Sequence, residues 1–436
     1  MYTERRAAEA KRQDPTPRGG IQVEPQPNVR EKVRGSKVLL TGGRAPAALE
    51  MARLLAAAGC EVIAAESAAH HLCRVSRAVK RSYRVPGPAE DPASFIAALE
   101  AVIRQEAIDW LIPTCEELYF IAAGYERLSQ QCRVFTAPLA QLRKLHSKWH
   151  FIRSAEHHGF SVPKTVRIQS AAQWQELVHS GCLEDMLAGG GCVLKPEYSR
   201  FAAKVRMVKS RKELLASVSE LQAPLSFPCY PWVAQQYIAG REICTYSIAH
   251  QGRLTAHAAY ASQYAVNGGA NVYFEPLDHP AVREWVSRYT ALEEFHGQIA
   301  FDFIETDDGR LYPIECNPRT TSGLHLLAGE LGLASALLAP EALGSADVVQ
   351  PSQGVSSMLA VPMLAIGLSG GVSWAAAPAW LRKWLRAKDV TFRWLDPRPS
   401  LEQLPMLLDM RRTAVRRGLS LIEASTCDIE WNGCEL

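Results

Sequence analysis

Asp302 stands inside an otherwise apolar run, Ile299-Ala300-Phe301-Asp302-Phe303-Ile304. A carboxylate among such neighbours is costly to bury without a cation or a hydrogen-bond donor. Asp307-Asp308-Gly309 follows as a hairpin turn signal, and then Leu311-Tyr312-Pro313-Ile314-Glu315-Cys316-Asn317-Pro318-Arg319. The turn lays the two strands side by side. Asp302, Glu315 and Asn317 then converge as hard oxygen ligands, a set that suits Mg²⁺. Arg319 is within reach of a transferring phosphoryl group at the same place. The plainer reading of this spacing is a carboxylate pair satisfied by arginine or backbone groups.

Two lysines precede the hairpin. Lys195 ends the apolar strand Cys192-Val193-Leu194, which aims it inward, and Lys148 opens a helix beginning near Ser147. Either alone reads as a solvated surface residue; the order lysine, lysine, acidic hairpin suggests phosphate binding. Between them and the hairpin lies Gln235-Gln236-Tyr237-Ile238-Ala239-Gly240-Arg241-Glu242. A strand ending in a short linker offers backbone groups to an adenine edge, with Ile238 as an apolar lid and Glu242 near a ribose hydroxyl. A strand-edge charge is the alternative for Glu242.

A chain of 436 residues exceeds one ordinary core, so two or three domains are expected. Residues 1–35 are polar and Arg-rich without apolar rhythm and read as a disordered arm. Residues 36–140 read as a parallel α/β domain: strand, Thr41-Gly42-Gly43 turn, helix, and a second strand ending near Glu66. The turn lacks the full G-x-G-x-x-G spacing, so nicotinamide binding with Glu66 on a ribose is a minor alternative. Residues 141–335 mix hairpins with helices, as in an α+β domain. Residues 336–436 form a C-terminal segment expected to pack on that domain, with Trp374, Trp380, Trp384 and Trp394 read as core and, as alternatives, closing the site or forming a dimer face.

The formal net charge of +3 gives no reason to invoke nucleic acid or a membrane surface. No apolar stretch reaches the roughly 18–20 residues of a membrane helix. The eleven cysteines show no zinc spacing and read as free thiols in a reducing compartment, so a cytoplasmic location is expected.

Taken together, Ser147-Lys148-Trp149, Val193-Leu194-Lys195-Pro196, Gln236 to Glu242, Phe301-Asp302-Phe303 and Glu315-Cys316-Asn317-Pro318-Arg319 resemble the ATP-grasp superfamily. The resemblance implies an ATP-grasp fold, α/β plus α+β, with an N-terminal Rossmann-like pre-grasp domain. It implies ATP between two α+β subdomains, held by Lys148, Lys195, Gln235, Gln236, Tyr237, Ile238 and Glu242. It implies Mg²⁺, or Mn²⁺ in its stead, on Asp302, Glu315 and Asn317, with Arg319 and Lys195 catalytic. Two departures stand out. Gln236 replaces a common glutamate, and the stretch after Lys195 has no glycine-rich loop, leaving Ser199, Arg200 or Lys204 as phosphate donors.

Within the superfamily, Gly240-Arg241-Glu242-Ile243-Cys244-Thr245, Gly297-Gln298-Ile299 and Ile314 to Thr320 are similar to mycosporine-glycine synthases, which couple glycine to 4-deoxygadusol. The implied partners are a small acid or enol acceptor and an amino acid donor; a homodimer is compatible with the sequence. Thr320-Thr321-Ser322 would line the acceptor pocket or cap the next helix, and His325 reads as structural rather than as a base. A carboxylate–amine ligase forming dipeptides is the alternative inside the superfamily, and an ATP-binding sensor without turnover the alternative outside catalysis.

Overall fold

The computed structural model describes residues 32–199, 205–221, 231–266, 269–330, 332–369, 371–373, 375–431 and 433. Most of the N-terminal arm, Arg200, Lys204 and Trp374 therefore lie outside the described residues.

The first layer is a five-stranded, all-parallel sheet. Its strands are β1 (Lys37–Thr41), β2 (Glu61–Glu66), β3 (Arg81–Arg84), β4 (Trp110–Ile112) and β5 (Arg133–Val134), in the order β3-β2-β1-β4-β5. Val38, Leu39 and Leu40 are all fully buried because helices cover both faces, so β1 reads as a continuous apolar run rather than an alternating one. Helix α1 (Pro46–Ala57) follows, with proline in its first turn and Gly59 past its end at φ +89°. The turn between β1 and α1 needs glycine. Gly42 sits at φ +71°, and a Cβ there would lie 2.5 Å from Thr114 Oγ1, whose hydroxyl donates to the Thr41 carbonyl.

Two antiparallel sheets follow. One has the order β6-β9-β7-β8, from β6 (Thr165–Ile168), β7 (Cys192–Pro196), β8 (Arg206–Val208) and β9 (Trp232–Gln236). The other has the order β11-β10-β12-β13, from β10 (Arg241–His250), β11 (Arg253–Ala261), β12 (Gly297–Glu305) and β13 (Leu311–Asn317). One hairpin turns around Gln251-Gly252, and the one expected around Asp307 to Gly309 is present. Along β12 the side chains alternate. Phe301 and Phe303 pack edge-on against Trp285 at 5.2 and 4.9 Å between centroids, which leaves Asp302 on the opposite face.

The C-terminal segment departs from its expected placement. Its first part does lie on the β10–β13 sheet, where the Val349 carbonyl accepts from the His257 backbone N–H. Further on it crosses to the first layer. Arg53 of α1 binds the Asp396 carboxylate and the Val390 and Thr391 carbonyls. The helix Arg398–Arg417 then runs beside His70 and Arg74, both bonded to Glu402. Trp380 and Trp384 are partly buried, but Trp394 is 88% exposed, because it sits at the tip of the turn that Arg393 and Asp396 close, between the Thr391 and Asp396 groups held by Arg53.

Candidate active site

The two antiparallel sheets and the carboxyl ends of the parallel sheet enclose one cleft of about 1510 Å³. Lys195, Gln235, Gln236, Tyr237, Ile238, Glu242, Asp302, Glu315, Asn317 and Arg319 all line it. Lys148 is buried behind Glu315, its ammonium 3.5 Å from that carboxylate.

The acidic group arises from strand register. Asp302 pairs directly with Glu315 across β12 and β13, and Ala300 pairs with Asn317. Residues two apart on a strand share a face, so Glu315 and Asn317 both point to the cleft while Cys316 is buried in the core. Burial pushes Asp302 well above the usual carboxylate range, and the neighbouring Glu315 and Glu242 push it the same way. Two carboxylates and an amide oxygen crowded on one face are a donor set that fits Mg²⁺.

A register shift between Asp302 and Phe303 bulges β13 at Ile314. The Ile314 carbonyl accepts from Lys195 Nζ at 3.0 Å. A bulge beside a polar site re-aims backbone groups in this way. Burial lowers Lys195 to about 8, Lys148 adding to the effect while Glu315 and Asp302 oppose it.

Lys148 is the first residue of helix α3 (Lys148–His157), which follows helix α2 (Leu139–His146), in the wall below β13. Ser147 caps α3 by accepting from the His150 backbone N–H at 3.1 Å, and its hydroxyl donates to Glu197. The Lys148 backbone N–H donates to the Glu197 carbonyl at 3.2 Å. Its ammonium, 1% exposed, lies 3.5 Å from Glu315 and donates to Ser199 Oγ at 3.2 Å. Arg319 donates to Asn317 Oδ1 at 3.1 Å and to the Thr320 carbonyl at 3.2 Å. Lys148, Lys195 and Arg319 thus gather beside Asp302, Glu315 and Asn317.

The sequence-predicted nucleotide strand is more varied. Gln235 is buried, and its amide donates to Thr165 Oγ1 at 3.3 Å, so it offers the cleft little beyond the wall it forms. Gln236 accepts from the Lys164 backbone N–H, and Tyr237 leaves the sheet after donating its own N–H to the Gly191 carbonyl. Glu242 sits exposed at the rim. Arg200 lies outside the described residues. Glu66, the candidate for a nicotinamide ribose, is occupied by the Arg44 guanidinium and the Ser67 and Ala68 backbone N–H groups.

Sequence reasoning missed the apolar lining of the cleft: Val193, Met207, Ile304 and Ile314. The signal was available, since Val193 and Ile304 stand two residues from Lys195 and Asp302 and share their faces. It also missed the far wall, Arg44, Ser67 and residues 424–429, which meet there only through tertiary contact. Thr321 precedes the short helix Ser322–Leu327 without capping it through its side chain, and Thr320, Thr321 and Ser322 face the cleft. His325 is 2% exposed, lies 3.9 Å from Glu50 and is also among the residues that line the cleft.

Residues 145–323 match the ATP-grasp domain family. Among solved structures the chain is similar to an L-amino acid ligase from Bacillus licheniformis, with 17% identity and a TM-score of 0.55 over 73% of this chain and 78% of that one. It is similar to N5-carboxyaminoimidazole synthetase from Staphylococcus aureus complexed with ADP, at 12% identity and TM-score 0.58, covering 79% and 86%. It is also similar to the biotin carboxylase domain of 2-oxoglutarate carboxylase from Hydrogenobacter thermophilus with MgADP, at 14% identity and TM-score 0.54, covering 67% and 66%. No curated protein matches the chain. The fold is ATP-grasp, with a parallel α/β layer in front of it.

Proposed function

We propose that the protein is an ATP-dependent, ADP-forming C–N ligase that joins an acidic small molecule to an amine. The observation that carries this is the convergence of Lys148, Lys195 and Arg319 with Asp302, Glu315 and Asn317 around one cleft. The overall reaction consumes one ATP. Its terminal phosphoryl group moves to an acidic oxygen of the acceptor, and phosphate leaves as the amine nitrogen bonds to the carbon that carried it.

Asp302, Glu315 and Asn317 would hold Mg²⁺, which supplies charge neutralisation on the phosphate oxygens. Lys148 and Lys195 bind phosphate oxygens, and Arg319 steadies the group in transfer. The apolar slot of Val193, Met207, Ile304 and Ile314 takes the base, with Tyr237 and Ile238 at its edge. Orientation within the cleft is the larger contribution to rate, because no side chain needs to act as a nucleophile.

A carboxylate acceptor and an amino acid donor are the reading that the similarity to an L-amino acid ligase favours. A vinylogous acid such as 4-deoxygadusol is the second reading, with a place in mycosporine or other secondary metabolism. What supports it is the row of hydroxyls, Thr320, Thr321 and Ser322, lining the cleft beside Arg319, which suits a polyol-like ring. The test is ADP release from Mg²⁺-ATP with pairs of acceptors and amino acids, products identified by mass and ultraviolet absorbance. ADP with a carboxylic acid supports the first acceptor class, and ADP with 4-deoxygadusol the second. A chain that binds ATP without releasing ADP for any pair would overturn the ligase reading in favour of a sensor.

A further inference from the structure

The last described stretch of the chain forms part of the cleft wall, with residues 424–429 lining it. At one end Arg44 donates to the Ser425 carbonyl at 3.0 Å and to both Asp428 carboxylate oxygens at 2.7 and 2.8 Å, and Ser67 Oγ donates to Asp428 at 2.6 Å. At the other end Trp431, 3% exposed, stacks on Tyr119 at 4.7 Å and meets Tyr198 edge-on at 5.2 Å. Tyr198 directly precedes Ser199, the partner of Lys148.

Between these anchors lies Glu116, wholly buried. Its Oε2 accepts from the Trp431 backbone N–H at 3.4 Å, and its Oε1 lies 3.7 Å from Arg319 Nε. Arg319 is held on its other sides by Asn317 and the Thr320 carbonyl. A guanidinium whose plane is set in advance loses less freedom when it grips a phosphoryl group.

We infer that Glu116 is a positioning residue for Arg319 and that the C-terminal strap, through Trp431, sets Glu116. The inference rests on the reading of Arg319 as the group that meets the transferring phosphoryl. Glu116 touches no substrate; it acts through the guanidinium.

The test is calorimetric binding of Mg²⁺-ADP and of Mg²⁺ with the non-hydrolysable ATP analogue AMP-PNP, which alone carries a third phosphoryl group. Arg319→Ala is expected to weaken AMP-PNP by about tenfold, one such contact, and to leave ADP unchanged. Glu116→Gln keeps the shape and is expected to weaken AMP-PNP selectively in the same way. Adding it to Arg319→Ala should cost nothing further. Trp431→Ala is expected to shift the same ratio, and Trp431→Phe to restore it. If Arg319→Ala lowers the ratio and Glu116→Gln does not, the inference is overturned while the nucleotide site stands. If Glu116→Gln weakens both nucleotides alike and lowers the melting temperature, Glu116 is structural only and the inference again falls. Wild-type protein that binds neither nucleotide would remove the ATP-site reading, and this inference with it.

Discussion

Glu315 occupies the busiest position in the cleft. It faces Asp302 across the hairpin and lies 3.5 Å from Lys148. Glu315→Gln keeps its volume and removes its charge. It leaves the Lys148 ammonium buried without its acidic partner and the metal set with one carboxylate. ADP formation from Mg²⁺-ATP is expected to fall by at least about a hundredfold, since removing one electrostatic element of such a site costs on that order. Circular dichroism should be unchanged, because the side chain lies on the cleft face and not in the core. Full turnover in this variant would remove the metal-site assignment. The spacing of Asp302, Glu315 and Asn317 was legible in the sequence because period-two alternation and a turn signal suffice to place them. The bulge at Ile314, which gives Lys195 a carbonyl to hold, was not, since only the pairing of two strands reveals an extra residue in one.

At the scale of elements, α3 carries Lys148 and depends on its first residue being held in place. Ser147 accepts from the His150 N–H and donates to Glu197, which in turn is gripped by Arg167 at 2.7 Å. Ser147→Ala removes the cap and one partner of a fully buried carboxylate. Loss of such a cap costs about 0.5–2 kcal/mol of stability. Chemical denaturation should report that loss, and the apparent KM for ATP should rise as Lys148 loses its fixed origin. A KM unchanged alongside the lost stability would separate the helix cap from phosphate binding. The sequence showed the helix and its opening lysine. It did not show that Glu197, just past the end of β7, braces that helix, a contact between residues about fifty positions apart.

At the scale of the molecule, buried ion pairs hold the C-terminal segment to the first layer. Arg53 and Asp396 have side chains only 4% and 10% exposed. Removing one member leaves the other charge buried, so Arg53→Ala is expected to destabilise by about 3–5 kcal/mol. Limited proteolysis should then cut first between residues 390 and 431, and cleavage elsewhere first would contradict the anchoring role. The second junction, Arg44 with Glu66 and Asp428, makes stability sensitive to acid. Burial would raise Glu66, but the Arg44 guanidinium outweighs it and holds the carboxyl down to about 2. Its folded pKa therefore lies below its ordinary value of 4.5. The contribution is complete above that ordinary value and is lost as pH falls through the window down to about 2. Thermal melts from pH 5 to about 2.5 should show a steep loss that Glu66→Gln makes shallower. Equal slopes in both proteins would assign acid unfolding to other groups.

By itself the sequence determined the apolar alternation, the turn chemistry and the order of charged residues, and these local patterns carry the strands, the hairpin and the two lysines. Tertiary structure alone decided that the segment after residue 390 folds back on α1, that Glu66 serves Arg44 rather than a nucleotide, and that Glu116, Arg319 and Trp431 meet. Those partners lie up to hundreds of positions apart. Nothing in local propensity or periodicity encodes a contact whose two halves each look, in sequence, like an ordinary surface charge.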